Sequence, residues 1–267
     1  MRIIVCMKQV PDTAEIKIDP EKNTLIRTGV PSIVNPYDEY ALEMAVRLRN
    51  EHGGSVTVLS MGPPQAQVAL KTCLAAGADD AFLISDRKFG GSDTLATSYI
   101  LSKTVDFLEE KQGEAFDLIL CGKQAIDGDT GQVGPELAEH LGWVQLTYVV
   151  EANVAGSTLT AKREIEEGYE ILETKLPAVL SVVKSDMELS FASIGARLKA
   201  AKTEIQTLSL EQIVLDEEKI GLSGSPTKVK KTFTPQVNKD SLIIRERTGV
   251  ESAKKLASVM RDAGIVR

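Results

Sequence analysis

The residues best placed to do chemistry lie in one run, Cys121-Gly122-Lys123-Gln124-Ala125-Ile126-Asp127-Gly128-Asp129-Thr130-Gly131-Gln132-Val133-Gly134-Pro135. Glycines at 128, 131 and 134 let backbone N–H groups approach a ligand closely and permit positive φ. A compact apolar run precedes this segment and a helix start follows it near Pro135. The N-terminus of a helix favours an anion such as phosphate. Asp127, Asp129, Thr130 and Gln132 add polar groups suited to ribose or base. Together these are the parts of a nucleotide site. The spacing, G-x-x-G-x-x-G, is neither the dinucleotide fingerprint nor a Walker loop, so an ordinary glycine-rich turn stands as the competing reading.

Other chemistries lack their residues. Gly221-Leu222-Ser223-Gly224-Ser225 misses the last glycine of a nucleophile elbow. Only two histidines occur, His52 and His140, and His52 beside Gly53 suits a cation at a helix end. Cys6, Cys73 and Cys121 form neither a C-x-x-C pair nor a metal spacing, and no carboxylate pair stands out. Any redox role would therefore need a cofactor to carry it. Phe89-Gly90-Gly91-Ser92-Asp93-Thr94 is a second glycine-rich helix start, and it reads first as a capped helix.

The elements that must position the loop follow from apolar periodicity. Arg2–Cys6 is a short β-branched run, as in a strand buried on both faces. Asn35-Pro36 marks an N-cap with proline at the first helical position, and Gly53-Gly54 ends that helix. Strands are expected at Ser55–Ser60, Ala81–Ile84 and Asp117–Cys121. Helices are expected from Pro63-Pro64 to near Gly77 and from Ser92-Asp93 to about Glu110. Strands alternating with helices imply parallel β-α-β units in a doubly wound layer over residues 1–145. Loops Met7–Asp12, Asn35–Asp38 and Met61-Gly62-Pro63 then join the glycine-rich run at one sheet edge.

From Thr147 the pattern changes. Thr147–Val154, Thr158–Ile165, Tyr169–Thr174 and Ala178–Lys184 read as an antiparallel extension of the same sheet. A helix follows at Ser193–Ile205. Gly221–Pro235 has linker composition, and an amphipathic helix at Val250–Ala263 ends the chain as an arm. This gives a body, 1–220, and a linker with C-terminal arm, 221–267. Lys and Arg number 31 against 38 Asp and Glu, a net charge of −7 that offers no field to attract nucleic acid. Aromatics are only 4%, so the core must be aliphatic. No run is long enough to span a bilayer, Met1–Cys6 is too short for a signal peptide, and the cysteines suit a reducing cytoplasm.

The segment Ala161-Lys162-Arg163-Glu164-Ile165-Glu166-Glu167-Gly168-Tyr169-Glu170-Ile171-Leu172, continued by Pro177-Ala178-Val179-Leu180-Ser181, resembles the signature of the electron transfer flavoprotein β subunit. Lys8-Gln9-Val10-Pro11-Asp12, Asn35-Pro36-Tyr37-Asp38 and Lys123–Asp127 resemble that family too, and the likeness covers essentially the whole chain. It implies a Rossmann-like α/β fold and a heterodimer with a larger α subunit holding a redox FAD. It also implies an adenine nucleotide in this chain. In the mitochondrial-type group that is a structural AMP. In the electron-bifurcating group it is a second FAD, which accepts hydride from NADH and sends electrons both to the α-subunit FAD and towards ferredoxin or flavodoxin.

The mitochondrial type carries Asp, Asn and Thr where this chain has Gly128, Gly131 and Val133. Gly128–Pro135 and Gly91–Ser98 resemble the bifurcating group, so FAD is expected, with AMP as the alternative. The resemblance implies cofactor contacts at Cys6, Asn35, Asp38, Met61, Gly122, Lys123, Gln124, Ala125, Ile126, Asp127, Gly128, Asp129, Thr130, Gly131, Gln132, Val133 and Gly134, and no catalytic side chain or metal ligand. It also implies docking of a flavin dehydrogenase through Leu189, Phe191 and Ile194. The family's Pro and Arg are missing from Glu188–Arg197, which favours a dedicated partner. The arm would wrap the α subunit. An α/β enzyme using ATP is the rival from another class, and the missing phosphate-gripping lysine loop speaks against it.

Overall fold

A computed structural model describes residues 1–12, 18–19, 24–25, 31–187, 189–230 and 241–266. In chain order the elements begin with β1 (Arg2–Cys6), β2 (Gln9–Pro11), β3 (Ile18–Asp19), β4 (Thr24–Leu25), β5 (Ser32–Val34) and α1 (Pro36–His52). Then come β6 (Ser55–Met61), α2 (Gln67–Ala75), β7 (Asp80–Ile84), α3 (Thr94–Gln112), β8 (Leu118–Gly122) and α4 (Val133–Leu141). The remainder are β9 (Val144–Ala155), β10 (Thr158–Ile165), β11 (Gly168–Lys175), β12 (Ala178–Val182), α5 (Ile194–Lys202), β13 (Gln206–Leu208) and α6 (Gly249–Asp262).

Nine strands form one mixed sheet in the order β11-β10-β9-β12-β8-β1-β6-β7-β13. Every neighbouring pair from β9 to β13 is parallel, and β10 pairs antiparallel with both β9 and β11. Alternate residues of β1 enter two cores. Ile3 and Val5 pack with α1 and α2, while Ile4 and Cys6 pack with α3 and α4. The chain runs from β1 to β6 and β7, then returns across β1 to β8. The β1/β8 seam is therefore a topological switch point, where loops diverge and leave a crevice at the carboxyl ends.

Ala178–Val182 was expected to be antiparallel and is not. It lies between β8 and β9, parallel to both, and is buried on both faces. An unbroken apolar run is the pattern of a central parallel strand, and direction leaves no trace in periodicity. β9 reaches both halves of the sheet because it bends. Val144–Leu146 pairs with β12, Val149–Ala155 pairs with β10, and Tyr148 between them has φ +60°. That left-handed conformation is a strained one for a bulky side chain and accompanies a β-bulge.

The helix expected over Ser193–Ile205 ends at Lys202, and Gln206–Leu208 instead adds a parallel edge strand to β7. Three residues are too few to show a period. The first compact unit extends to Lys230 and the second covers Lys231–Arg267. Within the expected linker, Gly221–Thr227 is bound to the start of α3. The Gly221 N–H donates to Ser92 Oγ at 3.0 Å, the Asp93 N–H donates to Ser225 Oγ at 2.8 Å, and Thr227 donates N–H and Oγ1 to Asp93 Oδ2. Asp93 also caps α3 by accepting from the Ala96 N–H. These donors hold the Asp93 carboxyl below its usual range, against the upward pull of its partial burial. Residues 231–235 of the expected linker lie outside the described residues.

Asp93→Ala is expected to cost about 1–2 kcal/mol, the worth of a helix cap. Urea unfolding measures that loss, and hydrogen exchange at the Thr227 amide should accelerate with it. In the second unit, α6 begins with a capping box between Thr248 and Glu251. Among the described residues no helix is long and apolar enough to cross a membrane.

Candidate functional site

At the β1/β8 seam Cys6 and Cys121 face each other in register, both buried. Contact with Cys6 and burial push the Cys121 thiol well above its ordinary range, which removes it as a nucleophile. Three loops meet just beyond this pair: 7–12 after β1, the start of α1, and the glycine-rich run after β8.

Asn35 and Asp38 tie them together. Asn35 sits at the N-cap of α1, yet its side chain makes no cap hydrogen bond. Its Nδ2 instead donates to Asp38 Oδ1 at 3.0 Å and to Gln124 O at 2.8 Å, and its Oδ1 accepts from the Ile126 N–H at 3.1 Å. Asp38 Oδ2 accepts from the Lys8 N–H at 2.7 Å, and Oδ1 accepts from the Gly122 N–H at 3.1 Å. Burial raises the Asp38 carboxyl to about 7, while these donors and the Lys8 charge pull it down. Lys8 Nζ lies 2.6 Å from Asp127 Oδ1, neutralising one carboxylate of the glycine-rich loop.

The loop's glycines differ in what they do. A Cβ on Gly122 would lie 2.2 Å from Asp38 Oδ1, so that position admits no side chain. A Cβ on Gly134 would meet Ser181 and Cys121 at ordinary distances, 3.6 Å and more, so the packing of α4 on the sheet does not demand glycine there. Gly131 has φ +66°. Gly128 is outside the left-handed region and a Cβ there meets nothing within 4 Å. The protein's own packing therefore does not require glycine at 128. Between them, Asp129 has φ +52° and accepts from Gln124 Nε2 at 2.8 Å. α4 begins at Val133 with no side-chain cap from Gln132. Thr94, at the start of α3, donates to Gln132 Oε1 or Glu136 Oε1, each 3.2 Å away.

Residues 22–213 match the family model described as the electron transfer flavoprotein domain. The electron transfer flavoprotein subunit beta of Megasphaera elsdenii is 50% identical over 255 residues, spanning 95% of this chain and 94% of its own. That of Clostridium acetobutylicum is 47% identical over 98% of each chain. The chain belongs to the electron transfer flavoprotein family, as a β subunit. A third relative of this β-subunit chain, the caffeyl-CoA reductase-Etf complex subunit CarD of Acetobacterium woodii, is 43% identical over the full length of both chains.

In the run that follows β8, Asp127 is paired with Lys8, Gly128 is exposed with nothing of the protein near a Cβ, and α4 starts without a side-chain cap. Of the residues expected at a cofactor, Gly122–Gly134 form the loop itself. Cys6 lies in the strand floor, and Met61 is partly buried at the end of β6. Asn35 and Asp38 are buried and spend their polar atoms on the protein's own groups.

Sequence reasoning missed Thr94 and Glu136 as neighbours of Gln132, and it missed Tyr148. The Tyr148 ring lies 4.9 Å from Lys123 Nζ. Nothing in a β-branched run marks the tyrosine that must turn left-handed. Leu189 and Phe191 line a groove of about 660 Å³ together with residues of α1, α2 and α5. The Ser190 N–H and Oγ both donate to Glu43, which pins that segment to α1. Ile194 opens α5 and is exposed, outside the groove lining. Glu188 lies outside the described residues.

Proposed function

We propose that this chain pairs with an α subunit carrying a redox FAD, and that its glycine-rich loop binds a second FAD in an NADH-linked, electron-bifurcating complex. The observation that carries the reading is Gly128, exposed and with no protein atom within 4 Å of a Cβ, in the loop that leads to the uncapped start of α4. A flavin bound there supplies acceptance of hydride from NADH and division of the electrons between the α-subunit FAD and ferredoxin or flavodoxin. The chain's residues bind and orient it. Backbone N–H groups at the start of α4 would hold the phosphates, and the loop's Asp129, Thr130 and Gln132 would serve the ribose and base. The segment with Leu189, Phe191 and Ile194 docks a dedicated flavin dehydrogenase. The name of the Acetobacterium woodii relative, which places it in a complex with caffeyl-CoA reductase, supports such a partner. The arm from about residue 240 packs on the α subunit, and the complex works in the cytoplasm, where the three free buried cysteines stay reduced.

The test is a count of FAD and AMP in the purified αβ heterodimer, with NADH reduction followed in the flavin spectrum. Two FAD per heterodimer and reduction by NADH are expected. One FAD plus one AMP would assign the site to a structural nucleotide and the complex to the non-bifurcating carriers. Gly131→Asn keeps a residue that tolerates the left-handed region, and its Cβ would lie 3.5 Å from the nearest atom, Lys123 O. It is expected to weaken β-site FAD roughly tenfold, about 1.4 kcal/mol, with the heterodimer intact. Unchanged flavin content would refute that expectation.

A further inference from the structure

We propose that Asp38 is a positioning residue whose ionised carboxylate holds the glycine-rich loop in its ligand-accepting shape, so that protonating this one group weakens nucleotide binding. The inference rests on the reading of that loop as a nucleotide site. Three donors converge on the carboxylate: the Lys8 N–H from the β1 loop, the Gly122 N–H from the end of β8, and Asn35 Nδ2 from the start of α1. A carboxylate accepts all three. A carboxylic acid still accepts, but its hydroxyl oxygen is a weaker acceptor and carries a proton that needs an acceptor of its own. The weakened bonds loosen the loop after β1 or the end of β8 from α1, or loosen Asn35, which also holds Gln124 and Ile126. The loop's register is thereby tied to one charge.

The groups facing Asp38 are few. Lys8 is the cation that favours ionisation, and its ammonium is shared with Asp127 on the glycine-rich loop. Cys121 on β8 and Cys73 on α2 are buried thiols raised above their usual range, hence neutral, and Glu39 is the acidic neighbour on α1. Burial brings the Asp38 carboxyl to about 7. The ionised, loop-holding form therefore dominates above that pH and is lost as pH falls through it.

The experiment titrates the αβ heterodimer, stripped of nucleotide, with FAD and separately with AMP between pH 6 and 8.5. It compares wild type, Asp38→Asn and Lys8→Met. Asp38→Asn carries the titration of the probe itself, so the difference between the two profiles isolates Asp38. Wild-type affinity is expected to rise about tenfold more than the variant's across this range, following the proton linkage of a single group. Asp38→Asn should also bind at least tenfold more weakly at pH 8. Lys8→Met, which keeps the backbone donor, should shift the wild-type midpoint upward and supplies the test if Asp38→Asn does not assemble. Matching pH profiles in wild type and Asp38→Asn, or an unmoved midpoint in Lys8→Met, would overturn the inference while leaving the nucleotide site standing. A wild-type heterodimer that binds neither FAD nor AMP at any pH would overturn the nucleotide reading and the inference with it.

Discussion

Gly122→Ala is expected to destabilise the subunit by about 3 kcal/mol, the upper end of the cost of overpacking a filled site, and to strip it of bound nucleotide. The added methyl would lie 2.2 Å from Asp38 Oδ1 and 2.7 Å from both the Tyr37 carbonyl carbon and its Cβ. All three atoms are fixed by the first turn of α1 or by the hydrogen bonds that the carboxylate accepts. Relief requires β8 and α1 to separate, which breaks the Gly122 N–H contact and moves the start of the loop. Urea unfolding of the heterodimer gives the stability change, and extraction followed by chromatography gives the nucleotide. A variant with wild-type stability and full nucleotide would show that the seam is softer than its packing indicates. Gly128→Ala is the control for stability alone, because a Cβ there meets nothing in the protein.

Asn35→Ala is expected to cost about 3 kcal/mol, since each buried group left without its partner costs roughly 1–3 kcal/mol. The truncation strands the Ile126 N–H and the Gln124 carbonyl, and it removes one donor from Asp38. Asn35 is fully buried, so water does not readily replace the amide. The loss should appear as a lowered Tm and as faster hydrogen exchange in residues 122–128, with β10 and β11 unaffected. Asn35→Asp separates hydrogen bonding from shape. It retains the acceptor for Ile126 but places a second carboxylate against Asp38, and it should be at least as damaging near neutral pH.

Much of the body was legible in the chain. Arg2–Cys6, Ser55–Ser60, Ala81–Ile84 and Asp117–Cys121 each read as strands, the first as one buried on both faces, and the structure has strands at all four. Pro36 and Gly53, the latter at φ +72°, mark the start and the end of α1 as backbone chemistry demands. The direction of β12, the edge strand β13 and the bend at Tyr148 were not legible. Strand direction and the edge position of three residues depend on which neighbours are already in place. A left-handed tyrosine is tolerated only because pairing on both sides of it over-determines the backbone.

The candidate site divides in the same way. Sequence identified the glycine-rich loop, because glycine spacing and a following helix start are local properties. It grouped Asn35 and Asp38 with the ligand contacts, whereas their hydrogen-bonding atoms face Lys8, Gly122, Gln124 and Ile126. Gly122, Gln124 and Ile126 lie 84 to 91 positions from the residues they bond, and no periodicity encodes such pairs.

What the amino-acid sequence determined by itself was the set of local instructions: aliphatic runs that must be buried, glycines that permit a turn, caps that start helices, and a family signature spread along the chain. Only the tertiary structure decided which glycine is forbidden a side chain and which faces open space. It also made Gly221–Thr227 a bound strap and turned a buried aspartate into the fastening between three loops. The reason is physical. Propensity and patterning act within a few residues, while the desolvation of Asp38 and the clash at Gly122 arise only when distant segments pack together.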